Sequence, residues 1–166
     1  MSEINFIPVT TPEKCRLIEG LAFPIWREHY TPIIGAAQVE YMLRQRQTAQ
    51  AVEEQVRQGD LYFLIQTGRG DEIGFFSIQF RPREVFLSKF YLLKDFRGKG
   101  LARKVLDFIR KMALEKQASR ITLLVHKRNP SVKAYQALGF RILEPVATDI
   151  GNGYVMDDYR MGLDFV

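Results

Sequence analysis

The sequence predicts a mixed α/β fold with a mostly antiparallel sheet flanked by helices, and two patterns favour it. Residues 61–93 contain three apolar runs separated by the short turns RGDE and RPRE, which is typical of an antiparallel meander. On either side, apolar residues recur at helical spacing with strong helix formers between them. In a chain of 166 residues, this alternation indicates a single domain, residues 1–166, with the order βααβββαβαββ.

The N-terminal strand and first helix have clear boundary signals. The stretch INFIPVT, residues 4–10, alternates as a strand does. Thr11 followed by Pro12 is typical of a helix start, with Thr11 as the N-cap residue. Cys15, Leu17, Ile18, Leu21 and Ala22 would then share one apolar helix face.

Two further prolines shape the prediction for the next segment. Because Pro24 and Pro32 each remove a helical hydrogen bond, we expect the stretch IWREHYTPIIG to be kinked or interrupted. A second helical element follows over residues 36–58, in one or two pieces, and Gly59 ends it.

The C-terminal half predicts two helices and three strands after the meander. Residues 100–117 form an amphipathic helix, and RITLLVH, residues 120–126, a short strand. Residues 131–138 form a second helix that Gly139 ends. The remaining apolar stretch splits at the turn GNG, which predicts a closing hairpin.

Composition limits the function classes. No apolar run approaches the roughly 20 residues that span a bilayer, and no signal peptide is visible at the start, so we expect a cytoplasmic protein without a membrane partner. Cys15 is the single cysteine, which excludes an intramolecular disulfide and a cysteine-based metal cluster, and we expect no metal.

The charge distribution favours a small anionic ligand over nucleic acid. The net charge is +5, with an isoelectric point near 9.4. The cations gather mainly between Lys94 and Lys116, and no nucleic-acid-binding signature accompanies them. We therefore expect no nucleic-acid partner.

The stretch DFRGKGLAR, residues 95–103, is the candidate anion site. It lies between a predicted strand and a predicted helix, so the first backbone N–H groups of the helix lack partners and face a positive dipole end. Gly98 and Gly100 carry no Cβ that would keep a phosphate away, and Arg97, Lys99 and Arg103 add positive charge. The pattern predicts a pyrophosphate-binding loop, and its alternative is a basic turn at the start of an exposed helix.

Two common phosphate loops do not fit. A P-loop needs Lys-Ser/Thr after its second glycine, whereas GKGLARKV has none. The dinucleotide fingerprint needs a third glycine in a parallel βαβ unit, whereas Arg103 stands there and a meander precedes it.

The same stretch resembles the signature of the GNAT superfamily of acetyl-coenzyme A dependent N-acetyltransferases, R/Q-x-x-G-x-G/A. A second segment, NPSVKAYQALGF from Asn129 to Phe140, is similar to the family's Asn, helix, Tyr and Gly-Phe pattern. The predicted element order also resembles the GNAT order. Within the family, IWREHYTPIIG and GYVMDDYRM resemble diamine or polyamine acetyltransferase-like members.

The resemblance implies acetyl-CoA as co-substrate and assigns residues to hold it. Backbone groups around Leu92 would hold the pantetheine and the thioester oxygen, and the loop amides would hold the pyrophosphate. The coenzyme-binding residues are then Leu92, Arg97, Gly98, Lys99, Gly100, Leu101, Ala102, Arg103, Asn129, Lys133 and Tyr135.

Acetyl transfer to an amine requires a proton for the leaving thiolate and a base for the attacking nitrogen. By resemblance Tyr135 is the acid, with an ordinary helix tyrosine as the alternative. Many relatives carry a carboxylate on the fourth strand, whereas this one offers only Ser88 and Lys89 in its middle. We therefore expect an ordered water or a group from elsewhere to act as the base, with Glu28, His29 and His126 as candidates.

The acceptor side is predicted from residue chemistry and from the position of the segments in relatives. Asp157 and Asp158 could pair with a cationic amine, although terminal-hairpin carboxylates are often only solvated. Trp26 and Tyr30, at helical spacing, could form a pocket wall or part of the core. The predicted acceptor-side residues are Trp26, Glu28, His29, Tyr30, Asp157 and Asp158.

The resulting expectation is an N-acetyltransferase that acts on a small primary amine in a ternary complex. Two alternatives remain: a catalytically weak acetyl-CoA-binding sensor and a peptide or protein N-acetyltransferase. The oligomeric state is open, with the final strand and the helix after residue 36 as candidate surfaces of a homodimer.

Overall fold

The computed structural model describes residues 3–165, which divide into two compact units. The first contains the residues up to Gln79 together with Lys89–Lys99. The second contains Phe80–Ser88 and the residues from Gly100 onward. Each unit is thus built from separate segments of the chain, and the expectation of a single domain stays a prediction.

Helix α1, Pro12–Ile34, begins as predicted but continues further. The Thr11 hydroxyl accepts a hydrogen bond from the Lys14 amide at 3.2 Å, and Pro12 occupies the first turn. Of the two expected outcomes, a kink or an interruption, the interruption is wrong, because α1 runs through Pro24 and Pro32. Its buried face continues past the first proline, so packing outweighs the lost hydrogen bonds; the residues on that face are Cys15, Ile18, Leu21, Ala22, Ile25, Trp26 and Tyr30.

One residue of that predicted face lies outside it. Leu17 is 38% exposed, whereas Cys15 and Ile18 are buried. Residues two positions apart point about 200° apart on a helix, so Leu17 cannot share the buried stripe with Cys15.

The second helical element consists of two helices, α2, Ala36–Arg46, and α3, Ala49–Arg57. The break lies at Thr48, whose hydroxyl accepts a hydrogen bond from the Ala51 amide and so caps α3. Gly59 follows α3 with φ of 111°, a conformation that favours glycine.

Four strands follow one another in the first part of the sheet: β1 Ile4–Pro8, β2 Leu61–Thr67, β3 Glu72–Arg81 and β4 Glu84–Leu92. Strand β2 pairs antiparallel with β3, as the predicted meander requires, and on its other edge with β1. The helices of the first unit pack on apolar side chains of these strands, including the buried Tyr62, Leu64 and Phe75.

The second unit contains the remaining helices and strands: α4 Leu101–Glu115, β5 Arg120–His126, α5 Ser131–Ala137, β6 Arg141–Gly151 and β7 Tyr154–Asp164. Here the strand order is β4-β5-β7-β6, with β4 and β5 parallel and the other pairs antiparallel. The predicted fold class, a mostly antiparallel sheet flanked by helices, is confirmed.

The final hairpin turns where the sequence predicts it. Asn152 and Gly153 follow β6 with φ of 54° and 78°, the left-handed pair that a tight hairpin turn requires. Among residues 3–165, no helix is both long and apolar enough to cross a membrane.

Candidate active site

The glycine loop joins β4 to α4. A short 3-10 turn, Lys94–Phe96, leads to Gly98 and Gly100, whose φ angles are 73° and 79°. A Cβ built on either glycine meets no heavy atom within 4 Å, so the backbone borders open space. No described side chain caps α4, which leaves the amides of its first turn available to an anion. This geometry fits a pyrophosphate group.

Arg97 is held by two partners within the first unit. Its Nε donates to the carbonyl oxygen of Leu92 at 3.0 Å, and its two Nη atoms donate to the Glu28 carboxylate at 2.7 and 3.2 Å. The hydrogen bonds from Arg97 lower the pKa of Glu28. Glu28 is therefore a paired carboxylate of low basicity, and much of the Arg97 charge is neutralised locally.

The predicted aromatic wall belongs to the core of the first unit. Trp26 and Tyr30 are 4% and 8% exposed, and their ring centroids lie 4.6 Å apart. Tyr91 of β4 lies 5.5 Å from Trp26, and His29 meets the Tyr30 ring edge-on at 4.9 Å. The Trp26 Nε1 is buried without a hydrogen-bond partner among the described residues.

Within the second unit, Asn129 shapes the start of α5. Its side-chain oxygen accepts a hydrogen bond from the Ser131 backbone N–H at 2.8 Å, and its own backbone N–H donates to the His126 carbonyl oxygen at 2.9 Å. Tyr135, one turn along α5, packs edge-on against Phe140 at 5.3 Å and is only partly buried. Lys133 of α5 is exposed.

The two hairpin carboxylates differ sharply. Asp157 is exposed and its Oδ1 lies 2.9 Å from the Lys127 ammonium. Asp158 is 6% exposed, and its Oδ1 has no hydrogen-bond partner among the described residues. Burial, with the nearby Asp157 charge, raises the pKa of Asp158 to about 6.

His126 lies directly opposite Asp158 in the antiparallel β5–β7 pair. Its Nδ1 accepts a hydrogen bond from the Arg128 amide at 3.1 Å, so the neutral ring carries its proton on Nε2. Burial, together with the Arg128 charge, lowers the pKa of His126. The ring is neutral near pH 7 and its Nδ1 lone pair is engaged, which makes it a weak proton acceptor.

Strand β4 contains a carboxylate that the predicted strand, starting at Val85, left out. Glu84 is the first residue of β4 and the first of the three β4 residues, Glu84 to Phe86, that pair with β5. Its carboxylate accepts a hydrogen bond from the Thr122 hydroxyl and lies 3.2 Å from an Nη of Arg160. The Glu84 carboxylate is therefore already paired with Thr122 and Arg160. Its position directly after the RPR turn is the sequence signal that could have placed it in the strand.

Lys89, in the middle of β4, is a half-buried amine whose charge has no salt bridge to a carboxylate among the described residues. Its Nζ donates to the Gln55 side-chain oxygen at 3.0 Å and lies 5.4 Å from the centroid of the Tyr62 ring. Tyr62 donates to the same Gln55 oxygen at 2.7 Å. Burial lowers the pKa of Lys89 to about 8. Sequence reasoning noted the residue but had no signal for its surroundings.

The structure thus groups the predicted residues within each unit. In the first, Glu28 and Arg97 are in contact and Trp26, His29 and Tyr30 form an aromatic stack. In the second, the β5–β7 register brings His126 beside Asp158. No group of three or more His, Cys, Asp or Glu among residues 3–165 could hold a metal ion.

The strand order, the parallel pairing of β4 with β5 and the glycine loop match the fold of the N-acetyltransferases. A family model described as an acetyltransferase (GNAT) domain matches residues 30–162. The chain belongs to the GNAT superfamily and is an acetyl-CoA dependent N-acetyltransferase, with acetyl-CoA as its co-substrate. The predicted family, enzyme class and co-substrate are confirmed.

Solved structures share this fold at low sequence identity. PaiA N-acetyltransferase from Thermoplasma acidophilum, in complex with coenzyme A, superposes with a TM-score of 0.82 at 18% identity, over 98% of this chain and 99% of that one. Spermidine N-acetyltransferase from Vibrio cholerae, in complex with CoA and spermine, gives 0.70 at 16% identity, over 99% and 96%. No curated protein sequence matches the chain.

Proposed function

We propose that the enzyme transfers the acetyl group of acetyl-CoA to a primary amine of a small molecule, with diamines and polyamines favoured, by direct attack in a ternary complex. The glycine loop carries the proposal, because Gly98 and Gly100 present open backbone immediately before the uncapped α4. The likeness to a spermidine N-acetyltransferase supports the acceptor class.

The coenzyme would be held mainly by backbone. The α4 amides from Leu101 and Ala102, after Gly100, would bind the pyrophosphate, and Lys99 and Arg103 would add charge around it. Arg97 would fix the loop through its bond to the Leu92 carbonyl oxygen. Asn129 and Lys133 would line the coenzyme from the start of α5, as the family resemblance implies.

Tyr135 would supply the proton that the reaction needs at sulfur. The amine nitrogen forms the new bond to the acetyl carbon and the carbon–sulfur bond breaks. The tyrosine hydroxyl protonates the departing thiolate, and the proton that the nitrogen loses restores the hydroxyl. Tyr135 is partly exposed on α5.

The experiment is release of coenzyme A thiol from acetyl-CoA with a panel of diamines, polyamines, amino acids, aminoglycosides and short peptides. We expect turnover with a diamine or polyamine, and a loss of about 10²-fold or more in Tyr135→Phe, because a positioned acid contributes that much. Calorimetric binding of acetyl-CoA by both forms is the control. Turnover only with peptides, or unchanged turnover in Tyr135→Phe, would contradict the proposal.

One observation favours a second candidate, a coenzyme-binding sensor. The middle of β4 carries the ammonium of Lys89 rather than a carboxylate. Tight acetyl-CoA binding without turnover of any acceptor would support the sensor. A homodimer and a cytoplasmic location stay predictions, which light scattering and cell fractionation test.

A further inference from the structure

We propose that Asp158 is the group that binds the acceptor's ammonium and takes its proton, and that neither Asp157 nor His126 does so. The inference rests on the proposed function, since it concerns the base of that reaction. It starts from a buried carboxyl oxygen that the described residues leave without a partner.

The unpartnered oxygen needs an explanation. Buried polar atoms in folded proteins nearly always have a hydrogen-bond partner, because an unmade bond costs the full desolvation of the group. Asp158 is 6% exposed and its Oδ1 has no partner among residues 3–165. An ammonium has three donors and a positive charge, so it satisfies both the hydrogen-bonding capacity and the charge of this carboxylate.

The register places Asp158 next to the proposed chemistry. Asp158 of β7 is the cross-strand partner of His126, the last residue of β5, so their side chains share one face with Cβ atoms about 5 Å apart. The segment that follows His126 contains Asn129 and Tyr135, the two α5-side residues of the proposed coenzyme site. Val146 of β6 is the other neighbour of Asp158 and is apolar.

The charged groups around Asp158 are engaged elsewhere. On the same face of β7, Arg160 pairs with Glu84 and Glu144. His126 is neutral with its Nδ1 occupied, and Asp157 points its carboxylate at Lys127. Glu84, Glu144 and Asp157 therefore each have a cationic partner, whereas Asp158 forms no ion pair among the described residues.

The proton balance is simple. An ammonium held at Asp158 gives one proton to the carboxylate, which becomes a neutral carboxylic acid, and leaves an amine with a free lone pair. Because burial raises the pKa of Asp158 to about 6, this carboxylate is a stronger base than an exposed aspartate while remaining mostly ionised at pH 7. The amine then attacks the thioester carbon, and the carbon–sulfur bond breaks. Tyr135 protonates the thiolate, the second nitrogen proton restores the tyrosine hydroxyl as the amide forms, and Asp158 returns its proton to solvent.

Asp158→Asn tests the assignment, with kcat/KM for spermidine measured by thiol release from pH 5.5 to 9.5. For the wild type we expect kcat/KM to fall as pH drops through about 6, since protonated Asp158 cannot accept the proton. In Asp158→Asn we expect a loss of about 10²- to 10⁴-fold at pH 7. The deficit should then shrink roughly tenfold per pH unit above pH 7, because more spermidine is already deprotonated near its amine pKa of about 10.

Two comparisons separate catalysis from structure. Asp149→Asn, an exposed carboxylate of β6, should leave the profile unchanged, and Asp157→Asn should lower kcat/KM less than fivefold. The Tm of Asp158→Asn at pH 7 should be at or above that of the wild type, because a buried charge without a partner is removed. A lower Tm with a deficit that does not depend on pH would overturn the assignment in favour of a structural role.

The remaining outcomes are equally informative. Asp158→Asn activity within threefold of wild type at pH 7 would overturn the assignment while leaving the proposed function intact. A wild type that binds acetyl-CoA but acetylates no amine would remove the proposed function, and the assignment would fall with it.

Discussion

At the scale of single residues, the catalytic candidate Glu28 is paired with Arg97, and we expect it to position the loop. Each Nη of Arg97 bonds one oxygen of Glu28, and the third bond goes to the Leu92 carbonyl oxygen just ahead of the glycine loop. Both side chains are about one-third or more exposed, so the pair adds little to global stability. Its effect should be local, on the shape of the loop.

Glu28→Gln tests this. We expect the KM for acetyl-CoA to rise about two- to tenfold, because the loop loses its ionic contact with α1, and the dependence of kcat on pH between 6 and 9 to keep its shape. Glu40→Gln is the matched control, since Glu40 also forms a bidentate pair with an arginine, through Nε and one Nη of Arg27, and belongs to α2. Loss of the rising limb of the pH profile in Glu28→Gln would show that Glu28 is a base.

Lys89 offers a second residue-scale prediction. The pKa of about 8 in the folded state lies below the unfolded value near 10.4, so the unfolded chain binds more protons between these values and stability rises with pH there. At pH 7 both states are protonated and the buried charge costs stability. We therefore expect Lys89→Met to raise the free energy of unfolding at pH 7 by about 1 to 3 kcal/mol.

Urea unfolding from pH 7 to 10.5 checks the prediction. The rise in stability above pH 8 should disappear in Lys89→Met and persist in Lys111→Met, an exposed lysine of α4. A less stable Lys89→Met at pH 7 would mean that the bond to Gln55 outweighs the burial of charge.

The environment of a residue was predictable from the sequence where a motif fixes the backbone, and less so where the register of strand pairing decides it. The turn at Gly98 and Gly100 could be predicted from the two glycines themselves, since few other residues accept the positive φ angles found there. Asp157 and Asp158 look alike in the sequence. Only the pairing of β7 with β5 and β6 turns one carboxylate to solvent and buries the other.

At the scale of elements, the loop before α4 can be tested against a loop with similar backbone strain. Gly100 and Gly70 both have positive φ, 79° and 90°, and a Cβ placed on either residue would meet no heavy atom within 4 Å. Replacing either with Ala should cost about 1 to 2 kcal/mol of stability, because both put a Cβ in the left-handed region. The two substitutions should differ in coenzyme binding.

We expect Gly100→Ala to weaken acetyl-CoA binding more than tenfold by calorimetry, since its methyl group enters the space assigned to the pyrophosphate. Gly70→Ala, in the turn between β2 and β3, should change the Kd less than twofold. Equal affinities for both variants would place the pyrophosphate away from Gly100.

Element boundaries were predictable where a local signal acts and not where packing acts. The starts of α1 and α3 follow from N-cap hydrogen bonds at Thr11 and Thr48. The final hairpin follows from the backbone angles that Asn152 and Gly153 adopt. The continuity of α1 through two prolines could not be read locally. It depends on a buried face that continues to Tyr30, which becomes visible only when the strands beneath the helix are in place.

At the scale of the whole molecule, the charge of +5 should act on the co-substrate at a distance. The phosphates of acetyl-CoA are attracted by a basic surface, and salt screens this attraction. We expect the Kd for acetyl-CoA to rise several-fold between 50 and 500 mM NaCl, and the rise to be smaller in Lys99→Gln. A Kd independent of salt would show that backbone contacts, not charge, provide the affinity.

The fold class was predictable because both periodicities are strong: most residues of the β2 and β3 runs and of the apolar face of α4 are buried. The parallel pairing of β4 with β5 could not be derived from apolar patterning alone. It depends on a crossover through α4, and the sequence carries that information only as a helix between two strands.

The division of the chain also sets an order on its synthesis. The first unit needs Lys89–Lys99, and these residues follow Phe80–Ser88, the opening segment of the second. A ribosome therefore delivers part of the second unit before the first is whole, and the last piece of the first unit to emerge is the one that carries Arg97. The nascent chain cannot finish its first unit without also presenting the start of the glycine loop.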